Sequence, residues 1–316
     1  MHIALTIDSN PSYLKQCFVM LFSLLYHNKT DPIILHIVCT PWTKEIFCSQ
    51  REYISHFIWT THVTLCRYEV TRESIKVLWL PIYNGLTLTT YFRLLLPSLL
   101  EESIDRCLYM DVDLIIRWPL SVLYQTTMEE NDRVAGVMTN VLTTFMENLG
   151  VDRYINAGVI IINLKARRTH TISRQIIDFI VQYPQWLKGT QAIMGDQCGI
   201  NYICRDHIVI INPQWNVTPF WFWSSWGEIN EEGVWYDNNQ ILQARSHPLI
   251  LHFAGLHKPC DWLCVHPRKY TYYRYLFYAW LAEISDFCKF GVHILTYPRR
   301  SDWVVFRFTK KIRSLL

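Results

Sequence analysis

Short apolar runs separated by polar punctuation dominate the first two thirds of the chain. Residues 3–7 (Ile3-Ala4-Leu5-Thr6-Ile7) form a strand pattern that stops at Asp8-Ser9-Asn10-Pro11. Apolar positions then recur at helical spacing over 12–26, and 33–39 forms the next strand. Further strands are expected at 61–68, 107–110, 134–138 and 159–164. The last of these is a continuous β-branched run, Val159-Ile160-Ile161-Ile162-Asn163-Leu164, typical of a central strand. A helix is expected over 86–100, cut short by Pro97, and another over 171–182, bounded by Pro184. Gly195-Asp196-Gln197 opens a third. Strands that are apolar at every position are buried on both faces. Alternated with helices, they imply an α/β sheet that is parallel at its centre.

Past residue 213 the texture changes. Trp215, Trp221, Trp223, Trp226 and Trp235 cluster, followed by Tyr270, Tyr272, Tyr273, Tyr275 and Tyr278. Aromatic rings can stack on the flat faces of a ligand in a groove, or they can simply pack as core. Core packing is preferred for Trp215, and the two readings stay level for Trp221, Trp223 and Trp226.

Composition narrows the class. Half of the 316 residues are apolar and only 18% are charged, which excludes disorder and provides a sizeable core. The net charge of +3 is no nucleic-acid signature, and nucleic acid is not expected as a partner. Its distribution matters more: Arg299, Arg300, Arg307, Lys310, Lys311 and Arg313 face one acid, Asp302, so this tail carries +5 and the rest of the chain −2. On a helix, Val304, Val305, Phe308, Ile312, Leu315 and Leu316 gather opposite those cations. That pattern suits an anionic membrane surface; packing on its own domain is the competing reading. The ten cysteines are expected to be reduced apolar fillers, since a strand-like run begins at once with no signal peptide. His257, Cys260, Cys264 and His266 have zinc-type ligands, but their spacing is irregular and a plain cluster is the better reading. The sequons at Asn28 and Asn216 carry no weight in a cytosolic protein.

Chemistry concentrates in a few segments. In 106–116 two carboxylates, Asp111 and Asp113, interrupt an apolar strand. Ionised groups there need a partner, and a divalent cation is the cheapest one. Along an ideal strand their Cα atoms are about 6.6 Å apart, so one ion can hold both only if the backbone curls out of the sheet at Asp113. Asp8 and Asn10 close the first strand, although beside Pro11 they also suit a turn and a helix cap. Arg93 is a lone cation in an apolar helix, which by itself suits a structural ion pair. Asn156-Ala157-Gly158 has small side chains that let backbone approach a bound ligand. Asp196 and Gln197 follow Gly195. His252, on an apolar run, opens His252-Phe253-Ala254-Gly255-Leu256-His257-Lys258-Pro259.

In order and spacing these segments resemble the retaining glycosyltransferases of family 8, especially bacterial lipopolysaccharide-core glucosyl- and galactosyltransferases. The similarity runs over about residues 2–262. It implies a single Rossmann-like nucleotide-binding domain of GT-A type, with a mixed, mainly parallel central sheet and a small C-terminal helical appendage. Residues 1–259 would form the transferase domain and 260–316 the basic, membrane-associating region. By this resemblance Asp8 and Asn10 contact the nucleotide, Arg93 approaches the donor sugar and phosphate, and Asn156 and Ala157 line the sugar. Asp111, Asp113 and His252 hold the metal. Asp196 recognises sugar hydroxyls, Gln197 lies nearest the reacting carbon, and Gly255 and Lys258 grip the diphosphate. The expected cofactor is Mn²⁺, because an imidazole ligand disfavours Mg²⁺, the alternative ion. The expected donor is UDP-glucose or UDP-galactose, and the acceptor a lipid-linked or oligosaccharide chain. The expected place is the cytoplasmic face of the inner membrane.

Gln197 is a poor nucleophile, which favours a front-face reaction; double displacement through Asp196 is the other route. The chain departs from the family pattern at Cys198, where another acid is common, at Cys260, where a tryptophan is common, and at Leu256, where a proline is common. A catalytically silent nucleotide-sugar-binding protein on the same fold is the second reading.

Overall fold

The computed structural model describes residues 1–8, 10–40, 62–71, 80, 87–139, 143–182, 195–218 and 236–255. A seven-stranded sheet has the order β3-β2-β1-β4-β7-β6-β8. Its strands are β1 (His2–Ile7), β2 (Ile33–Cys39), β3 (Val63–Glu69), β4 (Arg106–Met110), β6 (Val134–Met138), β7 (Ile155–Asn163) and β8 (Ile208–Ile210). A two-stranded antiparallel ribbon pairs β5 (Leu114–Ile116) with β9 (Ile250–His252). The mixed, mainly parallel α/β sheet expected from the sequence is present. The pairs β1–β2, β2–β3, β1–β4 and β6–β8 are parallel, whereas β7 runs against both of its neighbours.

The apolar runs are strands because both faces are covered. Alternate side chains of one strand enter opposite core clusters: Ile3, Leu5 and Ile7 on one face and Ala4 on the other. The same split separates Leu108 and Met110 from Cys107 and Tyr109, and Val159 and Ile161 from Ile160 and Ile162. Helix α1 (Pro11–His27) packs on the first face, and helices α2 (Ile172–Gln182) and α3 (Gly195–Cys204) on the second. Pro11 opens α1, where its missing N–H costs nothing. Asn28 ends it: its side chain donates to the Leu24 carbonyl at 2.7 Å and accepts from the Leu120 N–H at 2.7 Å. That sequon position is therefore a buried structural joint.

One expected helix differs. Residues 88–95 (Leu88–Leu95) wind as a 3₁₀ helix, followed by a single α turn at Leu96–Leu99. Pro97 sits in the first turn of that last piece instead of stopping the helix, a position that requires no amide donor. The six described cysteines, Cys17, Cys39, Cys66, Cys107, Cys198 and Cys204, are free thiols, and all but Cys66 are buried. Trp215 is core, as its neighbourhood predicts. Among the described residues no helix is long and apolar enough to cross a membrane. Trp221, Trp223, Trp226, Trp235, the 257–266 cluster, Lys258, the helical appendage and the basic tail lie outside the described residues.

The reversed strand positions the site. Because β7 is antiparallel to β4, its first residues lie beside the last residues of β4, with Met110 opposite Val159. The Asp111 N–H donates to the Gly158 carbonyl at 2.7 Å, one step beyond the ladder. Asn156-Ala157-Gly158 thus sits at the carboxyl edge of β1 and β4, the edge where open α/β sheets bind ligands.

Candidate active site

After Met110 the chain leaves the large sheet through Asp111, Val112 and Asp113 and enters β5, so the backbone turns where two adjacent carboxylates require it. The ribbon then delivers the third group. Leu114 pairs with His252, and the Phe253 N–H donates to the Asp113 carbonyl at 3.0 Å. One ligand atom each from Asp111, Asp113 and His252 lie within 4.8 Å of one another. His252 Nε2 is 3.4 Å from Asp113 Oδ1 and 3.8 Å from Asp111 Oδ2. Two carboxylates and an imidazole gathered this closely are a donor set that would suit one divalent ion.

Arg93 is the hub behind these ligands. It is only 6% exposed, donating through Nη1 to the Ala157 carbonyl at 2.6 Å and through Nη2 to Asp111 Oδ1 at 3.0 Å. Its Nε hydrogen goes to the Thr90 carbonyl at 3.1 Å, while Asp196 Oδ2 lies 2.9 Å from the same nitrogen as an ion pair. The guanidinium also covers the Tyr109 ring at 4.4 Å. Burial pulls its pKa down, but Asp111, Asp196, Tyr109 and Asp113 together outweigh that and push it up, so Arg93 stays cationic.

Asp111 Oδ1 also accepts from the Tyr109 hydroxyl at 2.8 Å, and that hydroxyl meets Thr6 Oγ1 at 3.0 Å. Burial holds the Tyr109 pKa well above its usual range, so it remains a donor. With Oδ1 occupied by two donors, Oδ2 is the Asp111 oxygen turned toward His252. Three carboxylates (Asp111, Asp113, Asp196) face one guanidinium, leaving an excess of two negative charges that a divalent cation would neutralise.

Asp196 and Gln197 stand in the first turn of α3. Asp196 is 3% exposed, and burial raises its carboxyl pKa to about 6, with Arg93 opposing and Asp111 adding to the rise. Its Oδ2 takes no hydrogen bond, an orphan acceptor in a buried place. Gln197 Oε1 accepts from the Ala157 N–H at 2.8 Å. Ala157 thus uses both backbone groups to hold site residues, its carbonyl on Arg93 and its amide on Gln197. Cys198, where the family commonly has an acid, points away into the second core and meets the Tyr154 hydroxyl at 3.0 Å.

Gly158 is small for a reason the sequence does not reveal. A Cβ there would collide with His252 Cε1 and stand 2.7 Å from Asp111 Oδ2 and 2.9 Å from His252 Nδ1, so its absence makes room for the ligand set. Asn156 turns its side-chain oxygen back to the Gly158 N–H at 2.9 Å.

An open cleft beside these groups is lined by Thr6, Ile7, Asp8, Tyr13, Thr87, Thr89, Thr90, Arg93, Asp111, Val112 and Asp113. Asp8 lines the cleft, and its Oδ1 accepts from the Asn10 N–H at 2.9 Å, as the turn reading expects. Asn10 is exposed, and its carbonyl accepts from the Leu14 N–H at 3.0 Å to start α1. Gly255 is exposed at φ +100, a backbone state that favours glycine. The sequence assigns no role to Tyr13, Thr6 or Tyr109, although Thr6 and Tyr109 lie within its marked segments. The Tyr-x-Asp spacing, with both side chains on one strand face, was the available signal for Tyr109.

The model of glycosyl transferase family 8 matches residues 2–263. General stress protein A of Bacillus subtilis is 26% identical over 203 residues, 62% of this chain and 67% of that protein. Lipopolysaccharide 1,3-galactosyltransferase of Salmonella typhimurium is 26% identical over 289 residues, 81% of this chain and 80% of its own. Glycosyltransferase GlyE of Streptococcus pneumoniae is 24% identical over 92% of this chain, which spans only 64% of GlyE. Among solved structures, galactosyltransferase LgtC in complex with donor and acceptor sugar analogues superposes with a TM-score of 0.69 at 20% identity. That match covers 89% of this chain and 96% of LgtC. At that identity the likeness carries the fold.

Proposed function

The chain belongs to glycosyl transferase family 8, and from that premise we propose that it moves a hexose from a UDP-sugar to a saccharide acceptor. The hexose is glucose or galactose, the new bond is α, and the acceptor belongs to lipopolysaccharide-core assembly. Relatives named lipopolysaccharide 1,3-galactosyltransferase and 1,2-glucosyltransferase support that substrate class. The observation that carries the reading is the convergence of Asp111, Asp113 and His252 at the carboxyl edge of the sheet, beside a cleft that also holds Asp8 and Arg93.

A bound Mn²⁺ or Mg²⁺ would act as a Lewis acid on the diphosphate oxygens, and Asp111, Asp113 and His252 would hold it. The remaining work falls to the chain. Asp8, with Asn10 behind it, meets the nucleotide, and Asn156 and Ala157 border the sugar. Asp196 recognises a sugar hydroxyl in this reading; its Oδ2 has an ion-pair neighbour, Arg93 Nε at 2.9 Å, but no hydrogen bond. Arg93 pairs with Asp111 and Asp196 and aligns them, with three of its five N–H donors on acceptors within the protein. Gln197 Oε1 is held by a backbone amide, which supports a positioning duty rather than nucleophilic attack. The reaction then proceeds on one face. The bond from the anomeric carbon to phosphate oxygen breaks, the acceptor oxygen bonds to the same face, and its proton passes to the departing phosphate. Gly255 and Lys258 grip that phosphate in this reading. The basic region 260–316 places the enzyme on the cytoplasmic face of a membrane, with 1–259 as the transferase domain.

The test is release of UDP from UDP-glucose or UDP-galactose by purified protein with Mn²⁺ and no acceptor. Asp113→Asn is expected to lower that release at least ~100-fold with the fold retained, since it removes a charged ligand. Full activity in the variant removes the metal role. Tight UDP binding with no turnover of any donor or acceptor supports the binding-protein reading instead.

A further inference from the structure

Asn216 lies between the short 3₁₀ turn Pro213–Trp215 and Val217, which bridges to Leu251 next to His252. It is fully buried, and both ends of its side-chain amide are engaged: Nδ2 with Asn156 Oδ1 at 2.9 Å and Oδ1 with His252 Nδ1 at 2.8 Å. Which end faces which residue follows from a backbone group. The Gly158 N–H can only donate, and it points at the Asn156 side-chain atom 2.9 Å away, so that atom is an oxygen. Asn216 must then offer its NH₂ to Asn156 and its carbonyl oxygen to His252. An amide oxygen only accepts, so the proton of a neutral His252 ring sits on Nδ1. Nε2, the nitrogen that faces Asp113 and Asp111, is left with a bare lone pair.

We propose that Asn216 is a positioning residue that fixes the His252 tautomer and ring plane for the cation, and that it ties the metal ligand to Asn156. Reversing the Asn216 amide would set two oxygens against each other at Asn156. It would also move the imidazole proton onto Nε2, between two carboxylates, where no lone pair remains to ligate. The ring is held further by the backbone, since the His252 N–H donates to the Val217 carbonyl at 3.0 Å and Val217 N–H to the Ile250 carbonyl at 3.0 Å. Asn216 is thus the outer partner that metal-bound histidines generally require, supplied here by an amide. The same amide reaches Asn156, which the proposed function places beside the donor sugar. The two sites therefore share one side chain. This inference rests on the metal reading given above.

Two measurements test it. In ¹⁵N-histidine-labelled protein at pH 8.5, with His252 assigned by its loss in His252→Gln, the neutral ring is expected to show a protonated Nδ1 and a bare Nε2. A proton on Nε2 overturns the proposal, and this readout requires neither metal nor activity. Second, Mn²⁺ titration followed by electron paramagnetic resonance is expected to show about 10- to 100-fold weaker binding in Asn216→Ala. Asn216→Asp, which can still accept from Nδ1–H but sets an oxygen against Asn156, is expected to bind Mn²⁺ more tightly than Asn216→Ala and to raise the donor KM; affinity as weak as that of Asn216→Ala overturns the proposal. Affinity unchanged in Asn216→Ala, with circular dichroism and thermal midpoint matching the parent, overturns the proposal. If the parent itself binds no Mn²⁺, with or without UDP, the metal reading fails, and the nitrogen spectra still decide the tautomer.

Discussion

At Gly158 a single absent methyl group decides whether the ligand set can form. The backbone there cannot retreat, because its carbonyl accepts the Asp111 N–H at 2.7 Å, and a Cβ would press on Asp111 Oδ2. Gly158→Ala is expected to fold with an unaltered circular dichroism spectrum and to lose Mn²⁺-dependent UDP release by ~100-fold, the usual cost of displacing a reacting group by about 1 Å. Activity close to that of the parent would show that the crowding is absorbed. Asp196 carries a pH signature. Its carboxyl titrates at about 6 instead of 3.8 because burial penalises the charge. Only the ionised form keeps the ion pair with Arg93, so kcat/KM for the donor is expected to fall as pH drops through about 6. The stability term has the opposite sense. The unfolded carboxyl loses its proton first as pH rises, so stability declines between about 4 and 6 and levels off above. A pH profile of kcat/KM with no break near 6 would discard this role, as would the same break persisting in Asp196→Asn. Asp111 and Asp113 stand out in the sequence as polar residues on an apolar run, whereas Asp196 and the ligand role of His252 enter only through the resemblance to the family. The contacts of Asn216 and Gly158 were not legible, since an asparagine in a loop and a glycine in a strand have many commoner uses.

Elements held their sequence-derived bounds where burial and periodicity agreed. The strands at Ile33–Cys39 and Val134–Met138 match the pattern residue for residue, because both faces are packed and no turn residue blurs the ends. The stretch 86–100 departed, tightening into a 3₁₀ helix over Leu88–Leu95. Its coil is set by what Arg93 must reach on β4, β7 and α3, which local propensity cannot encode. The joint between α3 and β7 depends on Asn201, fully buried. It accepts from the Ile155 N–H at 2.7 Å and donates to the carbonyls of Ile155 and Gln197 at 2.9 and 2.8 Å. Asn201→Leu removes all three bonds and takes from the Ile155 N–H its side-chain acceptor, and it is expected to cost about 2–4 kcal/mol in urea unfolding, since an orphaned buried group costs ~1–3 kcal/mol and each lost hydrogen bond about 1 kcal/mol. A loss below ~0.5 kcal/mol would mean that water or a shifted helix replaces the side chain.

At the scale of the whole molecule, the proposed centre joins parts of the chain that have no local relation. Asp111 leaves the large sheet, Asp113 enters the small ribbon, and His252 arrives as the last residue of β9. Composition and the alternation of apolar runs were enough to point to an α/β sheet, reduced cysteines and a cluster of acids at a strand end, because burial leaves a periodic imprint on any chain. The order of the motifs was enough to point to the family. The direction of β7 was decided only in three dimensions. An apolar run buried on both faces reads the same whichever way it points, yet its reversal is what lays Gly158 against Asp111. The Asn216–His252 contact was likewise decided only by folding, because hydrogen-bond partners are chosen by approach in space and leave no spacing rule along the chain.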